Sequence, residues 1–304
     1  MPGITAAGPN PGATYLTPTV DSEIVVAGSP LSIDVPPATP DGIPTPAIFT
    51  RACLDLTGTR RLVVDAGLSD TPKVPHLHTG LGTAGDPRLK PACPKFQEAF
   101  AYGRYIASTL LRGYSNIYLA ESVPGGTTTA MTVLRLCGLD FRSSSSMPDD
   151  PTELKESVYN DTVSRIARKT LSPGDAVKEA GDYMMCVALG IISESDGVIL
   201  AGGTQMACVS YLASRILDRH GLPVITTSWV LQHRYQDIAR VAGNVQGVDV
   251  RADLSRHPGI RKYSEGHVRE GVGMGAAYFI AKSSGLSDLE IMEEVDTLYS
   301  SMVP

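Results

Sequence analysis

The sequence predicts an α/β protein: a three-layer α/β/α arrangement with a mostly parallel sheet and a helical subregion. Three observations predict it. From Ala47 onward short apolar runs alternate with longer amphipathic segments, the pattern of strands joined by crossover helices. The runs Gly197-Val198-Ile199-Leu200-Ala201 and Leu222-Pro223-Val224-Ile225-Thr226-Thr227 show no polar alternation, as expected for strands covered on both faces. Two strand-like runs are followed by Gly-Gly-Thr turns that open helices.

The elements follow in order. Residues 1–46 hold ten of the 22 prolines. Proline fixes φ and removes a donor, so this stretch reads as an extended Pro-rich arm lying on the core, with Ile24-Val25-Val26 as a short edge-strand candidate. Residues 47–304 read as a single α/β domain. Ala47 to Leu56 is a helix stopped by Thr57-Gly58, and Arg61 to Gly67 is a buried strand. Phe96 to Leu111 is helical, Asn116 to Ala120 a strand and Thr127 to Leu136 a helix. Asp150-Pro151-Thr152-Glu153 and Ser172-Pro173-Gly174-Asp175 both read as capped helix starts with proline in the first turn. They define a helical subregion at about residues 150–190. A helix from about Thr204 to Arg219 follows the strand 197–201. The last helix opens with the capping box Ser287-Asp288-Leu289-Glu290 and should bury Leu289, Met292, Val295 and Tyr299.

Composition excludes several function classes. The 304 residues carry a net charge of −6 and a sequence pI of about 5.5, so a general affinity for nucleic acid is not expected. No apolar window approaches the ~18 residues of a membrane span, and no secretory leader pattern opens the chain. Five cysteines form no CxxC pair and read as reduced, buried thiols of a cytoplasmic protein. His76 and His78 share one face of an extended segment, but no Cys, Asp or Glu is near in sequence to complete a metal site, so no metal is expected.

In an open parallel sheet, ligands bind beyond the carboxyl ends of the strands, where helix N-termini also point. The residues that follow each strand are therefore the informative ones. They are Asp65-Ala66-Gly67, Glu121-Ser122-Val123-Pro124-Gly125-Gly126-Thr127-Thr128, Gly202-Gly203-Thr204-Gln205 and Thr226-Thr227-Ser228. Glycines let the backbone approach a ligand, and free N–H groups at a helix start suit phosphate. Two such turns on one sheet edge point to phosphate or ribose binding, against the plain reading of ordinary tight βα turns. Gly80-Leu81-Gly82-Thr83-Ala84-Gly85 matches GxGxxG in letters but follows a Pro-rich loop and precedes Asp86-Pro87, so it fails as a dinucleotide fingerprint. No P-loop and no GxSxG elbow is present.

Glu270 is the most informative acid. It precedes a glycine-rich turn and the run Ala276-Ala277-Tyr278-Phe279-Ile280-Ala281. A carboxylate facing a small-residue pocket loses solvation, which moves its pKa toward a useful general-base value. The same position also suits a solvated carboxylate in the first turn of a helix. Glu121 is a second candidate.

With these residues in hand, the chain resembles the nicotinate-nucleotide:5,6-dimethylbenzimidazole phosphoribosyltransferase family. That family has a GEMGxxNTT-like turn, similar to Ala120-Glu121-Ser122-Val123-Pro124-Gly125-Gly126-Thr127-Thr128, with the glutamate and paired threonines kept. Its Gly-Gly turn is similar to Ala201-Gly202-Gly203-Thr204-Gln205-Met206. Its EGxGAA segment is similar to Glu270-Gly271-Val272-Gly273-Met274-Gly275-Ala276-Ala277. The archaeal and cyanobacterial branch has PGIxAAG and GIPTPA stretches that look like Pro2 to Gly8 and Gly42 to Ala47.

The resemblance implies transfer of the phosphoribosyl group of nicotinate mononucleotide to 5,6-dimethylbenzimidazole or a related nitrogen base, giving α-ribazole 5'-phosphate for cobamide assembly. It implies Glu270 as the catalytic base, Glu121 beside it, and substrate contacts from Gly125, Gly126, Thr127, Thr128, Gly202, Gly203, Thr204, Gln205, Gly271 and Gly273. No cofactor is implied, and a homodimer is. Two alternatives stand beside it: the same reaction with adenine or another base, and a non-catalytic nucleotide-binding homologue.

Overall fold

The computed structural model describes residues 4–8, 10, 12–147 and 149–303. Pro2, Pro9, Pro11 and the Met1-Pro2-Gly3 start lie outside the described residues. In chain order the elements are α1 (Thr17–Ala27), α2 (Ala47–Thr57), β1 (Val64–Asp65), β2 (Leu77–His78), α3 (Phe96–Thr109), β3 (Ile117–Ala120), α4 (Gly126–Leu136), α5 (Thr152–Ile166), α6 (Pro173–Ala180) and α7 (Tyr183–Glu194). They continue with β4 (Val198–Ala201), α8 (Thr204–Ile216), β5 (Val224–Thr227), α9 (Ser228–Ala242), β6 (Val245–Val248), α10 (Pro258–Arg261), α11 (Met274–Ser283) and α12 (Asp288–Met302).

Among the described residues, β3-β4-β5-β6 form a four-stranded parallel sheet in that spatial order. Side chains alternate across a strand, and each face has its own core. Val198, Leu200 and Val224 join the buried cluster of α3, α4, α6, α7, α8 and α9. Ala201, Ile225 and Val248 point the other way, into a cluster with α1, α2, α11 and α12. The sheet is thus the middle layer of three, and a continuous apolar strand sequence is what two buried faces require. No helix among the described residues is long and apolar enough to cross a membrane.

Four expectations need correction. First, the N-terminal region is not wholly extended, because Thr17–Ala27 is an α-helix and no edge strand forms at Ile24-Val25-Val26. Proline count misled because proline position decides. Pro18 sits in the first turn, where its missing N–H costs nothing, and the next proline is Pro30, beyond the helix. Gly28 closes the helix in a left-handed conformation, its N–H donating to Ile24 O. Val20 and Ile24 are fully buried against α2, and Glu23, also buried, accepts from the N–H groups of Leu31, Ser32 and Lys73.

Second, the run 61–67 is strand only at Val64–Asp65, which pairs in parallel with Leu77–His78 in a separate two-stranded sheet; Leu62 is exposed. Third, Asp150 does not cap α5. Its carboxylate is taken by Lys155 Nζ at 2.8 Å and Arg234 at 2.7 Å. The competition is physical: Lys155 is buried and needs a counter-charge more than the helix end needs an acceptor. Ser172 does cap α6 as expected, accepting from Asp175 N–H. Fourth, α12 has the predicted capping box and buries Met292 and Val295, but Leu289 points to solvent.

Ile24→Ala distinguishes a packed helix from a surface arm. Removing a fully buried Ile side chain is expected to cost about 2–5 kcal/mol of unfolding free energy, read by chemical denaturation; an arm resting on the surface would lose far less.

Candidate active site

The carboxyl ends of β3, β4 and β5 meet the N-termini of α4, α8 and α9 on one edge of the sheet. The turn 268–273 leads into α11 at the same place, Val272 N–H donating to Glu121 O. These turns, with segments 5–8 and 37–46 and the loop Ser144–Ser146, enclose a cleft. Glu121, Gly125, Gly126, Thr127, Gly203, Thr204, Gln205, Glu270 and Gly271 line it. Gly202 lies just behind, at the turn from β4 into α8.

Glu270 is held in place by donors from three directions. Its Oε2 accepts from Thr227 N–H at 2.9 Å and Thr226 Oγ1 at 3.2 Å, and its Oε1 accepts from the N–H groups of Gly271 at 3.0 Å and Gly275 at 3.3 Å. Glu121 faces the same region, with its Oε2 accepting from Val123 N–H at 3.1 Å. The Gly202-Gly203 dipeptide passes between them. A Cβ on Gly202 would lie 3.6 Å from Glu121 Oε1, and one on Gly203 would lie 4.0 Å from Glu270 Cβ. The backbone around Glu270 is held in an unusual form: Val268, Arg269 and Val272 have φ of 60°, 64° and 54°. Branched side chains rarely adopt this region, and such strain persists where the surroundings fix it.

Gln205 and Gly126 join the two Gly-Gly-Thr turns. Gln205 Nε2 donates to Asp182 Oδ2 at 2.9 Å, and Thr129 Oγ1 donates to the same oxygen at 3.0 Å. A Cβ on Gly126 would run into the Gln205 amide. Gly126 is therefore a close-approach glycine, and Gln205 is a brace between turns as well as part of the cleft wall. Thr204 Oγ1 is buried with no hydrogen-bond partner among the described residues, while Thr204 lines the cleft. A donor in that state suits an incoming oxyanion. Two expected residues stand apart. Thr128 is fully buried and does not line the cleft. Gly273 opens α11 in a left-handed turn and borders a second, larger chamber of about 770 Å³. Glu121, Asp21 and Val272 belong to both spaces.

No protein-family model matches the chain. It is 43% identical to a UPF0284 protein of Thermoplasma volcanium, over 100% of this chain and 90% of that protein. It is also 43% identical to a UPF0284 protein of Thermoplasma acidophilum, over 99% of this chain and 89% of that one, and 37% identical to a UPF0284 protein of Thermococcus gammatolerans, over 100% and 94%. The chain belongs to the UPF0284 family. A solved structure of nicotinate-nucleotide-dimethylbenzimidazole phosphoribosyltransferase from Thermus thermophilus matches with a TM-score of 0.54 at 16% identity, over 84% of this chain and 76% of that one. At that identity the likeness is one of fold, and it agrees with the resemblance read from the turns.

The electrostatics of this UPF0284 site follow from crowding acids in a dry place. Burial raises Glu270 to about 7, although four hydrogen bonds to its charged form pull the other way. Burial raises Glu121 further, to about 8, helped by the neighbouring charges of Asp182 and Glu270. Burial also lifts Asp21 to about 6 against hydrogen bonds from Ser122 and Thr45, and raises Asp182. Near neutral pH, Glu121 carries a proton and Glu270 is the acid closer to ionising. The two titrate as a coupled set.

Sequence reasoning missed Asp21 and Asp182. Asp21 sits on α1 and accepts from Thr45 Oγ1 and Ser122 Oγ, each at 2.6 Å, so it ties the 43–46 segment to the Glu121 turn. The helical spacing between Pro18 and Pro30 was the available signal. Asp182 caps α7, accepting from Met185 N–H, and Gly181-Asp182 before an apolar run is a readable cap. The wall Ser144–Ser146 had no such signal. Its position depends on Lys155 Nζ bonding to Ser143 Oγ and Ser144 O.

Two expectations follow. In the folded chain Glu121 binds its proton more tightly than when unfolded, so it stabilises the fold below the unfolded pKa and loses that contribution as pH rises toward about 8. His233, whose folded pKa is lowered to about 4 by burial, works in the opposite sense at lower pH. The informative quantity is therefore the difference between variant and parent. Glu121→Gln should gain melting temperature relative to the parent on going from pH about 5 to about 8; no change in that difference would remove the buried-acid account. Gly126→Ala should destabilise by about 1–3 kcal/mol through overpacking, and Gln205→Ala in the same chain should recover part of it in a double-mutant cycle.

Proposed function

We propose that the chain is a phosphoribosyltransferase that moves the phosphoribosyl group of nicotinate mononucleotide to the ring nitrogen of 5,6-dimethylbenzimidazole or a related base, in cobamide lower-ligand assembly. One observation carries this reading. Glu270, held by four donors, sits beside two glycine turns at helix N-termini, with Glu121 across the dipeptide between them. The likeness of fold to a nicotinate-nucleotide-dimethylbenzimidazole phosphoribosyltransferase supports the substrate class.

The geometry supports the following roles. Backbone N–H groups at Gly125, Gly203 and Thr204, with the Thr204 hydroxyl, hold the phosphate and ribose at the positive ends of α4 and α8, and Gly126, whose own N–H donates to Val123 O, keeps the turn close. Pro37, Ile43, Pro46 and Val230, which line the same cleft as Glu270, offer an apolar seat to an aromatic heterocycle. In the reaction the bond from the anomeric carbon to the pyridine nitrogen breaks and a bond from that carbon to the acceptor nitrogen forms. The departing nicotinate keeps the bonding pair and becomes a neutral pyridine ring, so it needs no acid. The acceptor ring loses its N–H proton, and Glu270 receives it. Positioning and one proton transfer supply the catalysis. Glu121, protonated, keeps the site from repelling the anionic nucleotide.

The deciding experiment incubates the chain with nicotinate mononucleotide and a panel of bases. Base-dependent release of nicotinate, with a product of base-plus-phosphoribosyl mass, is the expected result; nucleotide binding by calorimetry with no release for any base would mean a non-catalytic protein. Glu270→Gln should slow turnover about 10²–10⁴-fold. Because the base must be ionised, kcat/KM should rise with pH through about 7. Glu121→Gln exchanges one neutral group for another near pH 7, so it should leave that limb in place.

A further inference from the structure

The sequence shows His76 and His78 with no third donor nearby; the fold supplies one. β1 and β2 pair in parallel with Asp65 directly opposite His78. Among the described residues, Asp65, His76 and His78 form a group in which one ligand atom from each lies within 4.8 Å of the others. We propose that these three side chains bind a divalent transition-metal ion, with zinc the natural probe.

The donor set fits such an ion: two imidazoles and one carboxylate with no thiolate, the chemistry of zinc and its first-row neighbours rather than of calcium or magnesium. The donors are also oriented in advance. Asp65 is buried, and its Oδ1 accepts from the N–H groups of Gly67 at 2.9 Å and Leu68 at 2.7 Å, which leaves Oδ2 for the shared site. His76 Nδ1 lies 2.8 Å from Val74 O. That bond places the proton on Nδ1 and leaves the Nε2 lone pair free, the outer-shell arrangement that metal-binding histidines use. His78 Nδ1 lies 2.7 Å from Asp65 Oδ2. The ion takes the place of the proton between them, and the ring then carries its proton on Nε2. The His78 side chain is 61% exposed, so water can accept and return that proton. The two rings stand edge to face, with centroids 6.3 Å apart.

The location has a consequence. Ala66, Gly67, Leu68 and Ser69 line the large chamber beside Glu121, and Thr19 Oγ1 on α1 donates to Asp70 O at 2.8 Å. An ion on Asp65, His76 and His78 clasps the ends of β1 and β2 and fixes the loop at the mouth of that chamber. Three protein donors leave at least one coordination position for water or a ligand. The inference stands apart from the proposed reaction, and its readouts are binding and spectroscopy.

The test titrates zinc into the tag-free, metal-stripped full chain by calorimetry and equilibrium dialysis. One equivalent should bind. The double variant His76→Ala/His78→Ala should weaken binding at least about 100-fold while its apo circular dichroism spectrum still reports the folded chain. Asp65→Asn retains the turn acceptor and should weaken binding about tenfold or more. Cobalt at the site should give visible d–d bands without a sulfur charge-transfer band. Absence of stoichiometric zinc, equal affinity in the double variant, or a sulfur band would overturn the proposal.

Discussion

The site depends on one constraint: the Glu270 carboxylate is half-buried at the cleft wall and largely desolvated while four donors hold it. Those donors come from the end of β5 and the start of α11, so the acid is well placed only when the sheet and the strained turn 268–272 are both formed. Desolvation raises its proton affinity and the donors lower it, and the balance falls near neutrality. The same carboxylate in open water would be ionised, solvated and a poor base. The hydrogen bonds therefore fix direction, and burial tunes strength.

The surrounding acids extend the same logic. Glu121, Asp21 and Asp182 border the larger chamber from the end of β3, α1 and the cap of α7. All are raised by burial, which limits the negative charge that an anionic nucleotide would meet. Their second function is mechanical. Asp182 bridges Thr129 and Gln205, and Asp21 bridges Thr45 and Ser122. Each bridge links segments that are distant in sequence. The two cores on opposite faces of the sheet supply the rigidity beneath them.

Much of this was legible in the residues. The strands β3, β4 and β5 announced themselves as apolar runs, and the glycine turns after β3 and β4 marked the ligand edge. Both are local signals: strand burial needs apolar residues, and tight turns need glycine. Elements with weak local signals were missed. Helix α9 has the polar stretch Gln232-His233-Arg234-Tyr235-Gln236-Asp237 and a break at Arg234, and β6 contains Gly247. Helix α1 was hidden by the prolines around it rather than by its own sequence.

What the sequence by itself determined is the class of fold, the order of most elements, and the candidate acid Glu270 with its glycine turns. Tertiary structure decided which groups share a space. Asp21, Asp182 and Glu121 lie 61 to 161 positions apart in the chain and meet only because the parallel sheet brings strand ends together. Asp65 stands beside His78 only because β1 pairs with β2. Proton affinity, likewise, is a property of the enclosed site and not of the glutamate alone: desolvation is set by what packs around a group, and packing is a long-range outcome that local residue pattern does not encode.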